Sequence, residues 1–167
     1  MNLFVQILGI LAMGVGALSL MQKKTTSILL VQIISATLFA THFFLLGAFA
    51  GASLNILSLL RNIIIYFKKR KWATPKVWFP LFALFFAVAV YLSGDGLLGI
   101  LPFAGCIFMS IGLHIDNSTI ARRYIICSSP CWLIYNAINL SIGGVIAEII
   151  NLVSLISSIV RYDIKKQ

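Results

Sequence analysis

HFFLLGAFAGASLNILSLLRNIIIY, residues 42–66, decides the fold. It ends one apolar helix, turns over Gly47 and Gly51, and opens a second helix. On that helix Asn55, Ser58, Asn62 and Tyr66 fall along one narrow stripe, because their spacings return to the same face at about 3.6 residues per turn. The same separations recur at Asn151, Ser154, Ser158 and Tyr162, after a second small-residue turn at Ser141, Gly143 and Gly144 and again before basic residues. Two copies of one hairpin form the skeleton of the chain.

Composition sets the class. Of 167 residues, 60% are hydrophobic and 10% charged, and the mean hydropathy is +1.03. A soluble domain of this size has too little interior to hide that much apolar surface, so the chain reads as an all-α integral membrane protein. The net charge of +9 does not point to nucleic acid, because the Lys and Arg residues sit between apolar runs and not on one solvated face. Cys106, Cys127 and Cys131 lie inside apolar segments without CxxC spacing or a histidine partner, and they read as small apolar fillers. No metal and no cofactor is expected.

Seven apolar runs follow in order, each close to the length that crosses hydrocarbon at about 1.5 Å per residue. They are Leu3 to Leu20, Ser27 to Leu46, Ala50 to Phe67, Val77 to Leu92, Leu97 to Leu113, Tyr124 or a turn earlier to Leu140, and Gly143 to Val160. The first carries its lysines after the apolar run, at Lys23 and Lys24, and so reads as a retained span and not a cleaved leader. Pro80 is expected in the first turn of the fourth helix, where a missing N–H does little harm. With the N-terminus outside and the C-terminus inside, every Lys and Arg except Arg61 falls in a cytoplasmic segment, while Asp95 lies in an outer loop. Short loops obey the positive-inside rule in this way. Arg61 itself reads as snorkelling to the inner surface.

Duplication predicts the odd number. LGIL occurs at Leu8 to Leu11 and again at Leu98 to Leu101, and the Asn-Ser stripe recurs in helices three and seven. Helices one to three therefore match five to seven, and helix four brings the second unit back to the starting side. This three-plus-one-plus-three layout divides the chain into residues 1–70, 71–95 and 96–167. Parallel repeats about an axis along the membrane normal are a transporter architecture with the solute site between the halves.

HFFLLGAFAGASLNILSLLRN, PCWLIYNAINLSIGGVIAEI and the final IVRYD resemble the YgjV-type family of bacterial inner-membrane proteins over nearly the whole chain. That resemblance implies a multi-pass protein of the bacterial inner membrane. The layout is also distantly similar to the SWEET, SemiSWEET and PQ-loop transporters of sugars and amino acids. In SWEETs an Asn of each third helix lines the solute pocket, which implies that role for Asn55 and Asn151. The same likeness implies a hinge at Pro102 in helix five, although helix one has Ala12 at the matching place and no Pro-Gln pair occurs. Pocket aromatics would come from Trp132 or Tyr135 in helix six and Phe39 in helix two.

The residues read alone give a similar picture. Gln32, Ser35 and His42 lie down one side of helix two, and Trp132, Tyr135, Asn136 and Asn139 mark helix six. Such groups turn inward because lipid cannot satisfy them. One reading makes them interhelical hydrogen bonds, worth roughly 0.6 kcal/mol each. The other makes Asn55, Asn151, Trp132, Tyr135, Asn136 and His42 the walls of a site for a neutral polar solute. Glu148 stands one turn inside the outer end of helix seven, either as a proton-coupling group paired with His42 or as a carboxylate solvated at an outer vestibule. An enzyme is not expected, since no intramembrane carboxylate pair and no activated serine is visible. A small-solute transporter and a non-transporting receptor or partner-binding module both use this scaffold. The bilayer is the assured partner, and a homo-oligomer stays open.

Loop charges generate the first test. In a variant lacking the three native cysteines, a cysteine at Ser93 should react with an impermeant thiol reagent from outside and one at Thr74 should not. The reverse pattern would invert the orientation.

Overall fold

The computed structural model describes residues 2–20, 25–67, 70–73, 75–115 and 117–161. Lys23, Lys24, Thr74, Asp116, Tyr162 and Asp163 lie outside them. The described residues form helices and the turns between them, without strands: α1 (Leu3–Leu20), α2 (Thr25–Leu46), α3 (Phe49–Tyr66), α4 (Pro75–Ser93), α5 (Ile100–His114), α6 (Ser118–Ile138) and α7 (Ile142–Ile159). Short 3-10 turns at Lys71–Ala73 and Gly96–Gly99 precede α4 and α5. Apolar runs of this length take helical form because a helix satisfies every backbone N–H and C=O within its own segment.

Leu29–Leu46, Phe49–Tyr66, Gly96–His114 and Ile142–Ile159 are long and apolar enough to cross a membrane, and the apolar stretches Leu3–Leu18 and Val77–Ser93 are shorter. Large apolar side chains such as Ile10, Ile34, Leu84 and Ile149 face outward, while Ser35, His42, Ser110 and Asn136 are buried. Polar groups inside and an apolar exterior suit a lipid surround. The chain is a multi-pass membrane protein.

Several helix ends and one turn differ from the sequence reading. α6 begins at Ser118, six residues before Tyr124, because the Asn117 side chain accepts from the N–H groups of Thr119 and Ile120 and caps the helix. Arg122 and Arg123 are therefore helical. α4 begins at Pro75, which takes the first helical position, and Pro80 lies inside the helix. Only Gly47 turns the α2–α3 connection, with φ 75°, whereas Gly51, Gly143 and Gly144 are helical and serve close packing.

α2 packs between α1 and α3, α6 packs between α5 and α7, α1 meets α7, and α3 meets α5. Six helices thus close a ring, and α4 rests against α3 and α5. Leu54, Phe82, Phe86 and Cys106 fill the junction of α3, α4 and α5. Phe43, Ala50, Ala52 and Tyr135 fill that of α2, α3 and α6.

At the seam of α1 and α7 the backbones touch, and a Cβ at Gly143 would fall on the backbone of Gly9. Gly143→Ala should therefore destabilise the detergent-solubilised protein by about 1–3 kcal/mol through overpacking. Gly14, with nothing within 4 Å of its hypothetical Cβ, is the control. Gly14→Ala should be neutral or stabilising by up to about 1 kcal/mol. Equal effects of the two substitutions on thermal unfolding would argue against the seam.

Candidate functional site

Inside the ring lies a cavity of about 460 Å³, lined by residues of α1, α2, α3, α5, α6 and α7. Its ceiling is aromatic. Phe39 and Phe43 stack at 6.0 Å between ring centroids, and Trp132 stands 6.1 Å from Phe43. From that ceiling the cavity runs toward the end of the bundle that carries Arg70 and Lys71, where Leu113 and Ser158 line it near the ends of α5 and α7.

Behind the ceiling, at the opposite end, the ring is sealed by hydrogen bonds between helices. The His42 ring bonds through Nδ1 to the Val5 carbonyl at 2.8 Å and through Nε2 to Ser141 Oγ at 2.8 Å. A carbonyl can only accept, so Nδ1 carries the proton and, in the neutral ring, the Ser141 hydroxyl donates to Nε2. Ser141 Oγ in turn accepts from the Gly144 N–H and caps α7. On the other side, the Tyr135 hydroxyl donates to Asp95 at 2.9 Å and accepts from the Gly51 N–H at 2.8 Å. Asp95 also accepts from the Ala50 N–H at 3.1 Å, which sets a carboxylate over the positive end of α3. Phe43 joins the two clusters, 5.4 Å from His42 and 5.9 Å from Tyr135 between ring centroids.

Of the residues expected at a solute site, Asn55, Asn151, Trp132 and Asn136 line the cavity. Asn55 Nδ2 donates to the carbonyl of Gly51 in its own helix at 2.9 Å. His42 and Tyr135 do not line it. Both are fully buried, and their polar atoms are committed to the seal. Glu148 lines the cavity beside Ser129 and Asn151, whereas the His42 ring nitrogens are bonded to Val5 and Ser141, so the two are not partners in this structure. Pro102 stands in the first turn of α5, directly after the 3-10 turn Gly96–Gly99, and does not line the cavity. Pro130, inside α6 next to Ser129, is the proline that interrupts a helix beside the cavity.

Arg61 departs furthest from expectation. It does not snorkel. It is 6% exposed, lines the cavity, and donates through Nη1 to Ser110 Oγ at 3.0 Å. Its position three residues after Ser58 puts it about 60° around the helix from a cavity residue, within reach of a long side chain. An ionisable residue inside an apolar run was the available signal. Asp95 and Gln6 carried none, since their partners lie in distant helices. Arg61 Nε and Asn136 Oδ1 are buried without a hydrogen-bond partner, in contrast to the bonded groups of the seal.

Tyr135→Phe removes one donor and one acceptor from the seal and leaves the Gly51 N–H without its partner. The expected cost is about 1–3 kcal/mol in denaturant unfolding. Asp95→Asn retains an acceptor for the tyrosine and should cost less. A Tyr135→Phe protein as stable as the native one would show that these bonds contribute nothing.

No curated protein and no solved structure matches the chain. A family of bacterial inner membrane proteins, Imp-YgjV, matches residues 3–166, in accord with the apolar exterior and the helices long enough to span. The chain belongs to the Imp-YgjV family of bacterial inner membrane proteins.

Proposed function

We propose that this inner-membrane protein is a transporter of a small polar solute and that the cavity is its solute site. One observation carries the reading: a cavity of about 460 Å³ with polar groups in its wall, sealed by a hydrogen-bonded plug at one end and reaching the last helical turns at the other. That volume is in the range of small-molecule sites, about 300–1,000 Å³. A site closed toward one side of a membrane is what alternating access needs in one of its states. The seven crossings and the orientation with N-terminus outside rest on the loop charges, and they turn the mouth of the cavity toward the cytoplasm. An enzyme is not proposed, because among the described residues no second carboxylate lines the cavity with Glu148.

The three-plus-one-plus-three repeat is part of the same proposal. α2 stands to α1 and α3 as α6 stands to α5 and α7, and the seam of α1 with α7 is the counterpart of the seam of α3 with α5. Asn55 and Asn151, equivalent under that relation, both line the cavity. The likeness to SWEETs is not needed for this reading and has no solved structure behind it.

Purified protein in liposomes, given labelled sugars, amino acids and organic acids, should accumulate or exchange at least one of them. Asn55→Ala and Asn151→Ala should each weaken its binding several-fold, as loss of one hydrogen bond worth about 0.5–1.5 kcal/mol predicts, while the folded protein remains. Solute bound but never moved would make the chain a receptor, and amide substitutions that only destabilise it would make the asparagines packing residues.

A further inference from the structure

We propose that the solute of this cavity is a small hydroxylated monocarboxylate and that the guanidinium of Arg61 is its counter-charge. The inference deepens the transporter reading and rests on it for the identity of the cavity as a solute site.

Arg61 is a buried cation whose partners among the described residues are all neutral. Nη1 reaches Ser110 Oγ at 3.0 Å, and Nη2 reaches Asn62 Oδ1 at a long 3.4 Å. The Ser110 hydroxyl donates its own proton to the Cys106 carbonyl at 2.7 Å, so it meets the guanidinium as an acceptor. Nε is buried and unbonded. A guanidinium carries five N–H donors in a planar fork, and here most of them have no acceptor. The described carboxylates are engaged elsewhere, Asp95 in the seal with Tyr135 and Ala50, and Glu148 with Ser129 and Asn151. Glu148 is six residues into α7 and Arg61 twelve into α3, so their levels along the helix axes differ by about 9 Å. Asp116 and Asp163 lie outside the described residues.

A charge held in the membrane interior without a counter-ion is the mark of a site that receives one. Its position in the cavity wall, beside Ser58 and Cys106, allows a solute to supply it. The planar fork matches a carboxylate in bidentate fashion. A dianion is disfavoured, because a second negative charge would have no cation of its own in a wall that already holds Glu148. Beyond the carboxylate, the hydroxyls of Ser58 and Ser154 and the amides of Asn55 and Asn151 offer partners to hydroxyl groups. The amide stripe alone suggested a neutral solute. Arg61 changes its charge.

The test uses purified full-length protein in detergent, with sodium gluconate and sodium lactate as probes, glucose and glycerol as neutral counterparts, and sodium phosphate, all at equal ionic strength. Thermal unfolding reads binding, since a ligand of the native state raises Tm with concentration. Gluconate or lactate should raise Tm saturably, and the neutral compounds should not. Arg61→Gln should weaken the carboxylate response at least tenfold while its Tm without ligand stays equal to or above the native value, because a neutral amide is easier to bury than a lone cation. Arg61→Lys should weaken the response less, since it keeps the charge and loses the fork.

The proposal is overturned if no carboxylate shifts Tm, if glucose or glycerol stabilises native protein and Arg61→Gln alike, or if phosphate alone responds through Arg61. It is also overturned if Arg61→Gln and Arg61→Leu both fail to fold, which would make the arginine a structural cation. Binding is measured without a gradient, so the two readings separate. Carboxylates bound but not carried into liposomes would sink the transporter and keep the anion site, and neutral solutes carried equally by Arg61→Gln would do the opposite.

Discussion

A single glutamine closes the ring. Gln6 Nε2 donates to the Leu140 carbonyl at 3.0 Å, and its Oε1 accepts from the Ile142 N–H at 3.1 Å, so one amide clamps the start of α1 to the turn that opens α7. Leu140 holds φ 55° there, a region that costs roughly 1–2 kcal/mol for a residue with a Cβ. The clamp satisfies two backbone groups that the turn would otherwise leave bare. Gly9 against Gly143 then allows backbone contact directly beneath it, and His42 covers Gly9 so closely that a Cβ would come within 2.7 Å of its ring. Without this closure α1 and α7 would be two edges, and the cavity would be a groove open to lipid.

The two ends of the bundle obey different rules. At the sealed end donors and acceptors are matched across α1, α2, α3, α6 and α7, which is what a region without water demands of polar groups. The matching loosens where the seal meets the cavity: Asn136 Oδ1, buried beside Ser141 and Gly144, is unbonded, and farther along Arg61 Nε is unbonded too. Both unbonded atoms belong to residues that line the cavity, and the bonded groups of His42 and Tyr135 lie behind it.

Much of the fold was legible because apolar run length, turn residues and basic loops are local signals. Seven helices could be read from them, and Asn55 and Asn151, which share a spacing pattern, both line the cavity. The boundary of α6 was not, because Arg122 and Arg123 resemble a loop until the Asn117 cap is recognised. The glycines misled for a related reason. Gly51 looks like part of a turn beside Gly47, yet it is small because Tyr135 lies 2.7 Å from where its Cβ would be, and no local pattern encodes a neighbour 84 residues away. Of the site, the residues with periodic spacing were visible. Those defined by pairing across the ring, Asp95 with Tyr135 and His42 with Ser141, were not. Arg61 was visible as an anomaly, and its direction required the third dimension.

The reach of the Gln6 clamp governs biogenesis. Its two ends are 134 residues apart in sequence, and during vectorial synthesis the N-terminal helices are inserted before the C-terminal one exists. Until α7 and the turn before it arrive, Gln6 lacks Leu140 and Ile142 and His42 Nε2 lacks Ser141, so the inner face of α1 is an unsealed flank. The ring cannot close before the final hairpin is made, and a chain that stops short of it would leave this seam open to lipid.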